Sequence, residues 1–75
     1  MEYFYLYAKY EGLKTFKAFS LQDGCPVNNL IYASLMSNTQ REQDYLQETA
    51  DNNKQLKLIF QIRNSNNGRV VFQTV

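Results

Sequence analysis

Residues 55–63 read Gln-Leu-Lys-Leu-Ile-Phe-Gln-Ile-Arg, and the even positions Leu56, Leu58, Phe60 and Ile62 are all apolar while most odd ones are polar. A period of two is that of a strand with one buried face, so this stretch predicts the strand on which a sheet is built. Residues 2–10 also alternate, with apolar character on both sides: Phe4, Leu6 and Ala8 on one, Tyr3, Tyr5 and Tyr7 with Lys9 on the other. So many aromatic residues favour a strand over a helix. Tyr10-Glu11-Gly12 then turns the chain, with Gly12 suited to a left-handed backbone. A three-residue loop there pairs Lys9 with Leu13, Tyr7 with Thr15, Leu6 with Phe16 and Phe4 with Ala18. A two-residue loop would place Leu6 opposite Lys17 and mix the faces. The predicted second strand covers residues 13–21, and Gln22-Asp23-Gly24 closes it.

Residues 30–36 carry mixed signals. Val27, Leu30, Ile31 and Leu35 have helical spacing, and Pro26 suits a first helical turn. The run is short, however, bounded by Asn28-Asn29 and Ser37-Asn38, and precedes a better helix start. These features favour the first strand of a βαβ unit, parallel to residues 55–63 where the two adjoin. Thr39-Gln40-Arg41-Glu42 fits a capping box, in which the Thr hydroxyl and Glu carboxylate satisfy free amides of the first turn. The helix that follows has Tyr45, Leu46, Thr49 and Ala50 as its inward stripe, and Asn52-Asn53 suits a left-handed stop. Residues 64–68 form a hairpin loop, and 69–75 close the sheet; an odd loop length keeps Leu58, Phe60 and Ile62 on one face with Val70 and Phe72. The expected fold is a single α+β domain over residues 1–75, ordered ββ-β-α-ββ. It has a small, mostly antiparallel sheet of four to five strands and one helix packed on one face. The alternative is ββ-αα-ββ, with residues 27–36 as a second helix.

Composition narrows the chemistry. A chain of 75 residues buries on the order of 60% of its unfolded surface, a thin core. With one cysteine and no histidine, it has neither an intramolecular disulfide nor a Cys/His zinc set, and no histidine base to activate a nucleophile. Cys25, between Gly24 and Pro26, reads as an incidental thiol. Asp44, Glu48 and Asp51 recur at helical spacing but read as a solvated face rather than a metal site. The three glycines are far apart and form no phosphate cradle. The expectation is a non-enzymatic protein with no cofactor and no metal. No apolar run approaches the roughly 20 residues that cross a bilayer, and the beginning of the chain does not read as a signal peptide, so a cytoplasmic location without a membrane partner is expected.

Six Tyr and five Phe make an aromatic load that a small core does not absorb easily. A single helix covers one side of a sheet, leaving the other aromatic, apolar and basic together. The candidate interaction face comprises Tyr3, Tyr5, Tyr7, Lys9, Lys17, Phe19, Arg63 and Arg69. Eight basic against seven acidic residues give little charge repulsion between copies. The expected partner is therefore a second copy of the chain, meeting it through this face or a strand edge, or another protein. The alternative is single-stranded nucleic acid, with bases stacked on Tyr5 and Tyr7 and phosphates met by Lys9, Lys17, Arg63 and Arg69. The plainest reading is that Tyr-Lys and Tyr-Thr pairs simply stabilise an exposed antiparallel face.

Overall fold

The computed structural model describes residues 3–55 and 57–75, so Leu56 of the predicted inward set lies outside the described residues. Among the described residues six strands form one sheet: β1 (Phe4–Tyr10), β2 (Lys17–Ser20), β3 (Cys25–Pro26), β4 (Leu35–Met36), β5 (Leu58–Asn64) and β6 (Val70–Gln73). One α-helix, α1 (Gln40–Asn52), packs against it, and a 3-10 turn spans Leu30–Tyr32. The order is β3-β2-β1-β5-β6, with β4 also pairing β1, and every pairing is antiparallel. The class is the expected α+β. The strand count exceeds the expected four to five because two strands of only two residues flank the 3-10 turn.

The sheet is built on β1 and β5, paired from Phe4 opposite Asn64 to Tyr10 opposite Leu58. Their alternations coincide: Leu6 lies beside Ile62 and Ala8 beside Phe60. These four side chains, with Phe19, Met36, Leu46 and Ala50, are the buried core. Phe19 meets Phe60 edge to face, centroids 5.5 Å apart at 79°, the arrangement that the ring quadrupoles favour.

The helix starts where the capping pattern predicts. Thr39 is the N-cap, and its hydroxyl accepts from the Glu42 amide at 3.3 Å. Glu42 does not close the reciprocal box; its carboxylate instead accepts from the Ser37 amide and hydroxyl. Leu46 and Ala50 face the sheet, but Tyr45, expected inward, is 56% exposed, so the inward stripe is narrower than the sequence predicts. The helix ends at Asn53 with φ −117°, not in the expected left-handed conformation, and the Asn53 side-chain amide donates to the Thr49 carbonyl at 2.7 Å.

Three sequence expectations are corrected. Tyr7 pairs with Ala18 and Ala8 with Lys17, three residues away from the expected register. An odd shift moves every β2 side chain to the opposite face. The connection over residues 11–16 is longer than a three-residue hairpin, although it opens with the expected turn, Leu13 N–H donating to the Tyr10 carbonyl at 3.1 Å with Gly12 at φ 94°. The gain is burial of Phe19 against Phe60.

The second correction concerns residues 30–36. They form neither a helix nor one strand adjoining β5. A 3-10 turn capped by Asn29 leads to β4, which pairs antiparallel with β1, Tyr5 opposite Leu35 and Phe4 opposite Met36. β4 runs in the direction of β5, but β1 lies between them. Ser34 makes the junction: its carbonyl accepts from Leu6 N–H (3.0 Å), its amide donates to the Phe19 carbonyl (3.0 Å), and its hydroxyl accepts from Leu21 N–H (2.8 Å). β4 thus takes over the edge of β1 where β2 leaves it.

The third lies in the last hairpin. Ile62 faces Phe72, which keeps Phe72 on the expected face, but a bulge puts Val70 opposite Arg63, and Val70 is exposed instead of joining the core. Beyond β6, Thr74 is buried and holds Phe60 twice, its amide donating to the Phe60 carbonyl and its hydroxyl accepting from Phe60 N–H, both at 3.0 Å.

Candidate functional site

Antiparallel partners share a face, so the register assembles the side of the sheet that α1 does not cover. One row across it is Leu35, Tyr5, Arg63, Val70; the next is Ala18, Tyr7, Gln61, Gln73. Tyr3 extends the face beyond Tyr5, its backbone tied to Ser65 by an N–H···Oγ bond of 3.3 Å and by the Ser65 amide donating to its carbonyl at 2.8 Å.

Of the predicted residues, the structure brings Tyr3, Tyr5, Tyr7, Lys9 and Arg63 to this side. Phe19 is excluded, since the β2 register buries it in the core. Lys17 lies opposite Ala8, on the register of the other face. Arg69 sits at the hairpin end, where its carbonyl accepts from the Asn64 amide at 2.9 Å, one position off the row of Arg63. The same register shift supplies Phe16, which the sequence reading placed in the core.

Arg63 is the centre of this face. Its guanidinium carbon lies 4.2 Å from the Tyr7 ring centroid and 5.5 Å from that of Phe16. Its Nε and Nη2 donate to Gln61 Oε1 at 3.0 and 2.9 Å, and Gln61 Nε2 donates to Gln73 Oε1 at 2.6 Å. Lys9 Nζ lies 5.2 Å from the Phe16 centroid and donates to the Leu13 carbonyl at 2.9 Å. Both cations are thus held over rings, a contact worth about 0.5–1 kcal/mol at partly exposed sites. Gln61 is buried under this layer with its polar atoms satisfied. The network stiffens the middle of the face and leaves its ends apolar: Tyr3 is 50% exposed, Leu35 61% and Val70 42%.

The β4 edge beside the helix offers a second surface, which shares Leu35 with this face. A groove of about 510 Å³ lies between the β4 edge and the first half of α1, lined by Leu21, Leu35, Met36, Arg41, Glu42 and Tyr45 among others. Two of the helical carboxylates are occupied locally, Asp44 accepting from Gln40 at 2.8 Å and Asp51 from Gln47 at 3.1 Å. Cys25 is exposed on β3. No family model matches the chain, and neither a curated protein nor a solved structure matches it.

Proposed function

We propose that this chain is a non-enzymatic protein-interaction domain that self-associates, the uncovered sheet face of one copy meeting that of a second. The observation that carries this reading is the row Leu35, Tyr5, Arg63, Val70, apolar and exposed at both ends, with Arg63 at its middle held over Tyr7 of the next row and Tyr3 beside it. Exposed apolar area grouped with Tyr and Arg is the composition of interface centres. A formal net charge of +1 opposes the approach of two copies only weakly. The nucleic-acid alternative is less favoured, because Lys17 and Arg69 fall off the face and Lys9 and Arg63 are already held over rings.

Sedimentation equilibrium over a concentration series tests the reading. The expected result is a monomer–dimer equilibrium that Val70→Glu shifts to monomer while the melting temperature stays within a few degrees. A chain that remains monomeric up to about 1 mM, the weak limit of specific association, would refute it.

A further inference from the structure

The loop between β5 and β6 holds a junction found nowhere else in the chain: of all its asparagines, only Asn67 is followed by glycine. The carboxamide carbon of an asparagine is open to attack by the backbone nitrogen of the next residue, which closes a five-membered ring. A side chain on that next residue hinders the approach, and glycine has none. At Gly68 no atom beyond its chain neighbours lies within 4 Å of where a Cβ would stand. Asn66, Asn67 and Gly68 are all exposed, so water reaches the junction.

The hairpin also holds the carboxamide in place. Arg69 N–H donates to Asn67 Oδ1 at 2.9 Å, folding the side chain back along its own backbone in the turn that asparagine forms with the residue two positions on. The same N–H faces the oxygen on which negative charge gathers when nitrogen adds to the carbon, and so acts as a single oxyanion donor. Asn64 provides the comparison. Its Oδ1 accepts from Asn66 N–H at 2.7 Å in the same kind of turn, but Asn64 is buried and Ser65 follows it. Asp23-Gly24 has the other half of the pattern: Gly24 has φ 68° and open space, but the preceding side chain is a carboxylate, a poorer acceptor of the nitrogen than an amide. One contact opposes the reaction. Gly68 N–H donates to the Asn64 carbonyl at 2.9 Å, and this bond must open before the nitrogen loses its proton. It lies in an exposed loop, where local opening costs little.

We propose that Asn67 is a site of spontaneous covalent modification in the folded chain, a succinimide-forming junction whose co-reactant is water. The Gly68 nitrogen gives its proton to hydroxide and bonds to Asn67 Cγ; the Cγ–Nδ2 bond breaks, and Nδ2 takes a proton and leaves as ammonia. One water then opens the ring, and no oxidant or reductant takes part. Addition at Cγ with cleavage of its bond to the Gly68 nitrogen gives aspartate at position 67. Addition at the main-chain carbonyl with cleavage of its bond to that nitrogen leaves the backbone running through Cγ, as isoaspartate. Either product places a carboxylate two residues from Arg69 and lowers the formal net charge of +1 by one. Asn67 stands in none of the rows of the sheet face, so the modification does not rest on the proposed self-association.

The test ages the purified chain in warm, mildly alkaline buffer, with a parallel sample unfolded in urea, and follows amide-to-acid conversion at each asparagine by peptide mapping and mass spectrometry. In the folded chain, conversion at Asn67 should run at least about tenfold faster than at any other asparagine, within the range that orientation of reacting groups supplies. The rate should rise with pH, because the attacking nitrogen must be deprotonated. Hydroxylamine, which traps the ring, should cleave the chain between residues 67 and 68. Asn67→Gln, whose longer side chain closes a ring far more slowly, should abolish both signals while the melting temperature stays within a few degrees. Conversion spread evenly over Asn53, Asn66 and Asn67 would overturn the proposal, as would hydroxylamine cleavage that persists in Asn67→Gln. So would conversion of Asn67 in urea with none in the folded chain, which would mean that the bond from Gly68 to Asn64 locks the junction.

Discussion

Replacing Leu46 by Ala tests the arrangement on which the uncovered face depends. Leu46 has no exposed surface, and in α1 only Leu46 and Ala50 are buried, so one leucine supplies most of the apolar anchorage of the helix. A buried Leu→Ala change costs about 2–5 kcal/mol, depending on how far the site collapses. Here the facing side chains, Leu6, Phe60 and Ile62, stand on the paired strands β1 and β5, which resist collapse, so a cost of at least about 3 kcal/mol is expected. At roughly 0.05–0.15 kcal/mol per residue, a chain of 75 residues has about 4–11 kcal/mol in total, so the variant loses a large share of its stability. For a domain of this size each kcal/mol lowers the melting temperature by about 4–8 °C, which gives a fall of about 12–24 °C. Thermal and urea unfolding followed by circular dichroism measure it, with Tyr45→Ala as the control. Tyr45 is 56% exposed, and its truncation should cost under about 1 kcal/mol. If Leu46→Ala cost under about 1 kcal/mol, or Tyr45→Ala cost as much as Leu46→Ala, the helix would not be seated through Leu46, and the assignment of covered and uncovered sides would fall with it.

Two further substitutions probe the polar ties. Thr74→Val removes the hydroxyl that accepts from the buried Phe60 amide and leaves that donor unpaired, a loss of about 1–3 kcal/mol by urea unfolding; Thr74→Ser should recover most of it. A double-mutant cycle on Tyr7→Leu and Arg63→Met should return a coupling of about 0.5–1 kcal/mol, because the guanidinium carbon sits 4.2 Å from the ring centroid; zero coupling would remove Arg63 as the organiser of the face.

Much of the fold was legible in short patterns. The opposed alternations of residues 4–8 and 58–62 named Leu6, Ala8, Phe60 and Ile62 as one buried face, and they pack as one. The Thr39 cap placed the start of the helix, and Gly12 and Gly68 adopt the positive φ expected of them, at 94° and 69°. The candidate site was legible only as far as β1 and β5 contribute to it. Lys17, Phe19 and Arg69 were assigned from strands whose register rests on loop length, and a loop's sequence constrains its length far less than a strand's alternation constrains its faces.

What the sequence determined by itself is therefore local: which positions alternate, where the chain turns, where the helix begins, and that one helix is available to cover the sheet. Only the tertiary structure decided which of Phe16 and Phe19 goes inward, because either parity satisfies β2 alone and the edge-to-face contact with Phe60 distinguishes them. It likewise decided the fate of residues 30–36, whose propensities are divided, through the three hydrogen bonds of Ser34 to Leu6, Phe19 and Leu21. Those partners lie 13 or more residues away in sequence, beyond the reach of any local pattern.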